Sequence, residues 1–132
     1  MTQIKVLVLH GDEAVRNRVI SHLQDLGAFD TRHFARGSDA RGACRGFHPD
    51  IVIVDTSVLD VATVELIERL RPSVPQQRLV LTSATSASSY TGHASLLRHE
   101  PDAVLWSPFS RWEFQQAVQD QVAALGEISR AS

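Results

Sequence analysis

The stretch PDIVIVD (49–55) constrains the fold more than any other part of the chain. Ile51, Val52, Ile53 and Val54 are consecutive β-branched residues, whose stiff side chains favour an extended backbone. A strand with one face in water alternates apolar and polar residues. A run that is apolar at every position belongs to a strand covered on both faces, as in a parallel sheet sandwiched between helices. The run stops on Asp55, which sets a carboxylate at the C-terminal end of the strand, the edge where open α/β sheets gather their functional groups.

The remainder of the chain alternates in the same way. IKVLVL (4–9) reads as a buried strand, and GDE turns into a helix with Val15, Val19, Leu23 and Leu26 at helical spacing, ended by Gly27. FDTRHFA (29–35) is a more exposed strand, and SDARGACRGF (38–47) a short helix weakened by Gly42 and Gly46, with Ser38 as its cap. Val61 to Leu70 form a helix that buries Val64 and Ile67, or Leu66 and Leu70, and Pro72 and Pro75 stop it. RLVLT (78–82) is the fourth strand, TSATSASSYTGH (82–93) a loop, and a further helix lies near His93 to His99. DAVLW (102–106) is the fifth strand, and a final helix runs from Arg111 to Leu125, with Ser110 and Glu113 at capping-box spacing. Five strands alternating with five helices predict a doubly wound parallel α/β sheet in the order 2-1-3-4-5. His10, Gly11, Asp55, Thr82 and Ser107 follow directly on apolar strands and gather at its carboxyl edge.

The chain has 132 residues, 43% of them hydrophobic, and a formal net charge of -2. That supports one domain over 1–126, with 127–132 as a C-terminal tail or the start of a linker. With a pI near 6.3 and no basic stripe, direct nucleic-acid binding is disfavoured. The single cysteine, Cys44, has no partner for an internal disulfide. No apolar run is long enough for a signal-peptide core or a membrane span, so a cytoplasmic location without membrane contact is expected.

The ordered set KVLVLHGDEAVR, GSDARGACRGFHPDIVIVD, LVLTS and DAVLWSPF resembles a response-regulator receiver domain. This is the CheY-like, flavodoxin-like phosphoacceptor module of bacterial two-component (phosphorelay) signalling, and the resemblance spans essentially the whole chain. It implies that Asp55 matches the phosphoacceptor, Thr82 the hydroxyl that follows the phosphoryl group, and Pro108 the proline after a cis bond. It also implies protein partners, a histidine kinase or an output domain, or a second copy in a homodimer. These would dock on the face built by the fourth helix, the fifth strand and the last helix, where Trp106 and Trp112 fall.

The departures matter as much as the matches. The family's acidic pair, which holds a divalent cation, is His10 and Gly11 here, and its active-site lysine is Ser107. Mg²⁺ demands hard oxygen ligands, and the lysine supplies charge to a transferring phosphoryl group. The switch aromatic falls at Val104, and the proline and glycine usual after the acceptor are Leu59 and Thr63. A shifted register that recruits Asp12 and Glu13 as the acidic pair needs a two-residue insertion. The expectation is therefore a pseudo-receiver working by protein–protein contact, with no enzymatic activity, no metal site and no cofactor, Mg²⁺ entering only if Asp55 is phosphorylated.

Alternatives stay open at this level. They are an atypical but phosphorylatable receiver, and the N-terminal module of a longer protein such as a pilus-localisation ATPase or an RNA-binding antiterminator. A third is an aspartate-nucleophile phosphohydrolase, which expects a second aspartate where Ser57 stands; a flavodoxin-like cofactor binder lacks its phosphate-cradling loops. His10 reads as a hydrogen-bonded structural histidine or a transition-metal ligand, and His22, His33, His48, His93 and His99 show no ligand spacing. If Asp55 is a structural relic, Asp55→Asn is expected to change stability by no more than about 1 kcal/mol.

Overall fold

The computed structural model describes residues 3–71, 74, 76–83 and 100–131, the side chains of the last segment through 126. Five strands, β1 (Lys5–Leu9), β2 (Asp30–Phe34), β3 (Ile51–Asp55), β4 (Arg78–Ser83) and β5 (Ala103–Trp106), form one sheet. Its order is β2-β1-β3-β4-β5 and every pairing is parallel. Four α-helices are described: α1 (Glu13–Leu26), α2 (Gly37–Ala43), α3 (Val61–Leu70) and α4 (Arg111–Ala131), with a 3-10 turn at Thr56–Val58. The helix expected near His93 to His99, with those two histidines and most of the Ser/Thr-rich stretch, lies outside the described residues.

β3 is the middle strand and every one of its residues is buried. Its alternate side chains face two different cores. Val52 and Val54 join Leu7, Leu9, Leu79 and Leu81 under α2 and α3, where Ala40, Val64, Leu66, Ile67 and Leu70 meet them. Ile51 and Ile53 join Val6, Val8 and Val80 under α1 and α4, against Val19, Leu23, Phe114 and Val118. Complete burial of each such side chain contributes about 1.5–3 kcal/mol, so the unbroken apolar run follows from the two-sided cover.

The helix boundaries show what local chemistry decides. Asp12 caps α1 by accepting the Val15 N–H, and Asp60 caps α3 through the Thr63 N–H at 2.8 Å. That hydrogen bond holds the Asp60 carboxyl below its ordinary pKa. Ser110 and Glu113 exchange hydrogen bonds at the start of α4, as their spacing predicts. Ser38 does not cap α2: the cap is Arg36, with no side-chain bond, and Ser38 lies inside the first turn. α2 also stops earlier than its sequence span, at Ala43, because the chain turns through Gly46 at φ 81, a conformation that favours glycine. α4 runs past Leu125 to Ala131; Gly126 lowers helix propensity without breaking the helix.

Gly37 starts α2 with its backbone pressed on α3. A Cβ there would lie 2.8 Å from Thr63 Cα, and Thr63 is itself fully buried. Because the obstacle is backbone, a rotamer change cannot relieve it. Gly37→Ala is therefore expected to lower stability by about 1–3 kcal/mol through overpacking, despite alanine's better helix propensity, as measured by urea unfolding followed by circular dichroism.

Candidate functional site

The carboxyl ends of β1, β3 and β4 converge on Asp55. Strand register sets Asp55 beside Thr82, while β1 pairs with β3 as far as Leu9 and Val54, which delivers His10 to the same edge. The Asp55 carboxylate, only 6% exposed, is surrounded by donors. Thr82 Oγ1 donates to Oδ1 at 2.6 Å. The Ser57 N–H donates to Oδ2 at 3.1 Å, and so does the Ser57 hydroxyl in a short bond. His10 Nε2 stands 3.5 Å from Oδ1. Asp55 thereby caps the 3-10 turn that follows it.

His10 is held from several directions. Its N–H donates to Phe34 O at 3.2 Å, its carbonyl accepts from Arg16 Nη1 at 2.8 Å, and its Nδ1 accepts the Asp12 N–H at 3.0 Å. An Nδ1 that accepts leaves the ring proton of the neutral imidazole on Nε2, the nitrogen facing Asp55. Gly11 is adjacent, and a Cβ on it would meet Val58 Cγ1 at 3.3 Å.

Asp12 and Glu13, the acidic pair of the shifted register, are exposed at the start of α1, where Asp12 is occupied as a cap. Among the described residues no group of three His, Cys, Asp or Glu side chains could hold a metal ion. A Mg²⁺ site needs several oxygen ligands in near-octahedral array. A nitrogen donor at His10, no side chain at Gly11 and a carboxylate already engaged on both oxygens do not fit that ion.

The other predicted positions are more dispersed. The peptide between Ser107 and Pro108 is cis. The Ser107 N–H donates to Ser83 O at 2.7 Å, and Ser107, Pro108 and Phe109 line a small cleft against Val15 and His22 of α1. Burial, the largest of several influences, lowers the His22 pKa. No hydrogen bond joins Ser107 to Asp55 among the described residues. Trp106 is 44% and Trp112 71% exposed.

Two features escaped the sequence reading. Ser57 supplies two of the donors on Asp55; the D-x-S spacing is a signal for such a turn, since an aspartate readily bonds the backbone two residues on. Thr56 donates to Ser83 Oγ at 3.0 Å, a pair 27 residues apart that only the β3–β4 register brings together.

Neither a family model nor a curated protein sequence matches the chain. Solved structures do. A pilus-assembly candidate (cpaE) from Burkholderia thailandensis is 23% identical, with a TM-score of 0.70, over 92% of this chain and 99% of that one. Chemotaxis protein CheY4 of Vibrio cholerae is 17% identical at TM-score 0.72, covering 90% and 98% of the two chains. A CheY-like response-regulator receiver domain protein from Methanospirillum hungatei is 13% identical at 0.74, covering 96% and 99%. The class this defines is one of architecture: the chain has the CheY-like receiver fold, with the sheet order predicted from its sequence.

Because Asp55 is buried with its oxygens engaged, loss of the whole carboxyl belongs to a costlier class than Asp55→Asn. Asp55→Ala leaves Thr82 Oγ1 and the Ser57 donors without their acceptor, and is expected to lose about 1–3 kcal/mol. Asp55→Asn keeps one acceptor oxygen and is expected to lose less. Urea denaturation midpoints of the two variants beside the wild type check the ranking.

Proposed function

We infer that the chain is a receiver-like signalling domain of the two-component type that acts by protein–protein contact without phosphorylation of Asp55. The observation that carries this reading is the state of Asp55. Both its oxygens are engaged by the protein's own donors, and His10 stands where a cation ligand is required. Phosphoryl transfer on this fold depends on positioned charge more than on covalent help from the protein, and the positions for that charge hold His10, Gly11 and Ser107. The phosphohydrolase alternative fares no better, since Ser57 is bound to Asp55 where a second carboxylate is needed.

Intact-mass analysis after incubation with acetyl phosphate and Mg²⁺ tests the reading. The wild type is expected to remain unmodified, and a variant carrying His10→Asp, Gly11→Asp and Ser107→Lys together to gain a phosphoryl group. Such groups act as a unit, so single repairs are expected to do little. A wild type that is phosphorylated, and loses the modification in Asp55→Asn, overturns it.

Contact is assigned to the surface of Trp106 and Trp112, because exposed rings of this size are the usual anchors of protein interfaces. The partner is a kinase, an output domain or a second copy of the chain. In sedimentation equilibrium, Trp112→Ala is expected to weaken self-association or complex formation with a co-expressed partner by about 2 kcal/mol. An unchanged association constant removes this surface from the reading.

A second reading is a receiver-like module within a longer pilus-assembly protein. It is supported by two pilus-assembly candidates from Burkholderia species, 23% and 22% identical over 92% of this chain. Pilus genes beside the reading frame, or a nucleotide-binding segment after residue 132, would select it.

A further inference from the structure

The parallel topology places a second feature at the far edge of the sheet from Asp55. Each helix runs back against its strand, so the C-terminal halves of α2 and α3 lie toward the edge where β3 begins. Their N-terminal ends touch through Gly37 and Thr63, and between their C-terminal halves lies a groove of about 510 Å³. α2 and the turn after it supply Arg41, Gly42 and Arg45 on one side, and α3 supplies Leu66, Arg69 and Leu70 on the other. None of the three arginines has an ion pair or hydrogen bond among the described residues. Arg32, by contrast, is already engaged, donating to Ala43 O at 2.7 Å and lying over the Phe47 ring. Leu66 and Leu70, largely buried, give the groove an aliphatic floor, and Asp39, Glu65 and Glu68 do not line it.

We propose that this α2–α3 groove is a docking site for an acidic, leucine-bearing segment of a protein partner, its carboxylates on Arg41, Arg45 and Arg69 and its apolar side chains on Leu66 and Leu70. Guanidinium groups are suited to bidentate pairing with carboxylates. Arg41 lies in the last turn of α2 and Arg45 in the turn that follows Ala43, a spacing served by carboxylates a few residues apart on a partner segment. Single-stranded nucleic acid fits less well. Sites for it add aromatic platforms to a basic track, whereas the described lining of this groove has no ring and the chain has a net charge of -2.

Arg41 and Arg69 also lie in the last turns of α2 and α3, where a cation offsets the negative end of the helix dipole. That role leaves Arg45 and the aliphatic floor unexplained, and Gly42 separates the two accounts. A Cβ at Gly42 would meet nothing within 4 Å, so Gly42→Leu is tolerated by the fold, fills the groove and leaves every charge in place.

The site stands apart from Asp55, so its fate is independent of whether that residue takes phosphate. The test is fluorescence anisotropy on the full chain with a labelled amphipathic peptide of Leu and Glu, beside the same peptide with Gln for Glu and an oligothymidine of equal charge. Saturable binding of the Glu peptide is expected, with amide shifts confined to residues 38–45 and 66–70. Arg41→Glu with Arg69→Glu is expected to weaken it about tenfold or more and to flatten its salt dependence. Gly42→Leu is expected to weaken it at unchanged thermal stability. Should the double reversal fail to fold, Arg41→Gln with Arg69→Gln supplies the same comparison. Absent binding, equal binding of the Gln peptide or the oligothymidine, or a Gly42→Leu chain that binds as the wild type does, overturns the proposal.

Discussion

The two-sided burial of β3 is the constraint on which the rest of the structure depends. A strand with helices on both faces cannot expose any of its side chains, so residues 51–54 must be apolar and their neighbours in β1 and β4 largely so. The chain meets water at the edges of the sheet instead. At the edge where β3 begins, side chains serve the backbone: Asp50 accepts the Lys5 N–H, Asp102 accepts the Leu79 N–H and pairs with Arg78, and Gln77 reaches Pro49 O. At the opposite edge the strands end on polar residues, and there a carboxylate buried to 6% exposure has to be supplied with donors.

How those donors are supplied decides the chemistry of the edge. A buried carboxylate can be balanced by a cation or by hydrogen bonds. Here hydroxyls at Ser57 and Thr82 and a backbone N–H do it, with the His10 imidazole 3.5 Å away. That arrangement is self-contained: the donors come from the chain's own residues. A second carboxylate beside Asp55 would need its own counter-charge, whereas an imidazole adds no negative charge.

The two faces of the sheet differ in what they leave exposed. On the side of α1 and α4, small polar closures such as the Gln115 bond to His22 O and the pairing of Arg111 with Asp25 join helix to helix. On the side of α2 and α3, Gly37 lets the helices meet at one end, while guanidinium groups without an ion pair among the described residues line the space at the other. Local helix electrostatics accounts for the cations in the last turns, Arg41 and Arg69, and does not account for Arg45.

The sequence by itself determined the architecture. The apolar runs at 6–9, 51–54 and 79–81, the helical spacing of Val15, Val19 and Leu23, and the caps at Ser110 and Glu113 are local signals, and parallel sheets permit few ways of arranging them. The placement of Asp55 and Thr82 on one edge was legible for the same reason. The ending of α2 was less so, because its limits depend on Gly37 meeting Thr63, a contact that helix periodicity does not encode. Only the tertiary structure decided that Asp55 is enclosed, that His10 turns Nε2 toward it, and that Thr56 finds Ser83. It alone placed Arg69 across a groove from Arg41 and Arg45. Propensity and periodicity act within a few residues, whereas these partners lie some 24 to 45 positions apart and meet only once strand register and helix packing are fixed.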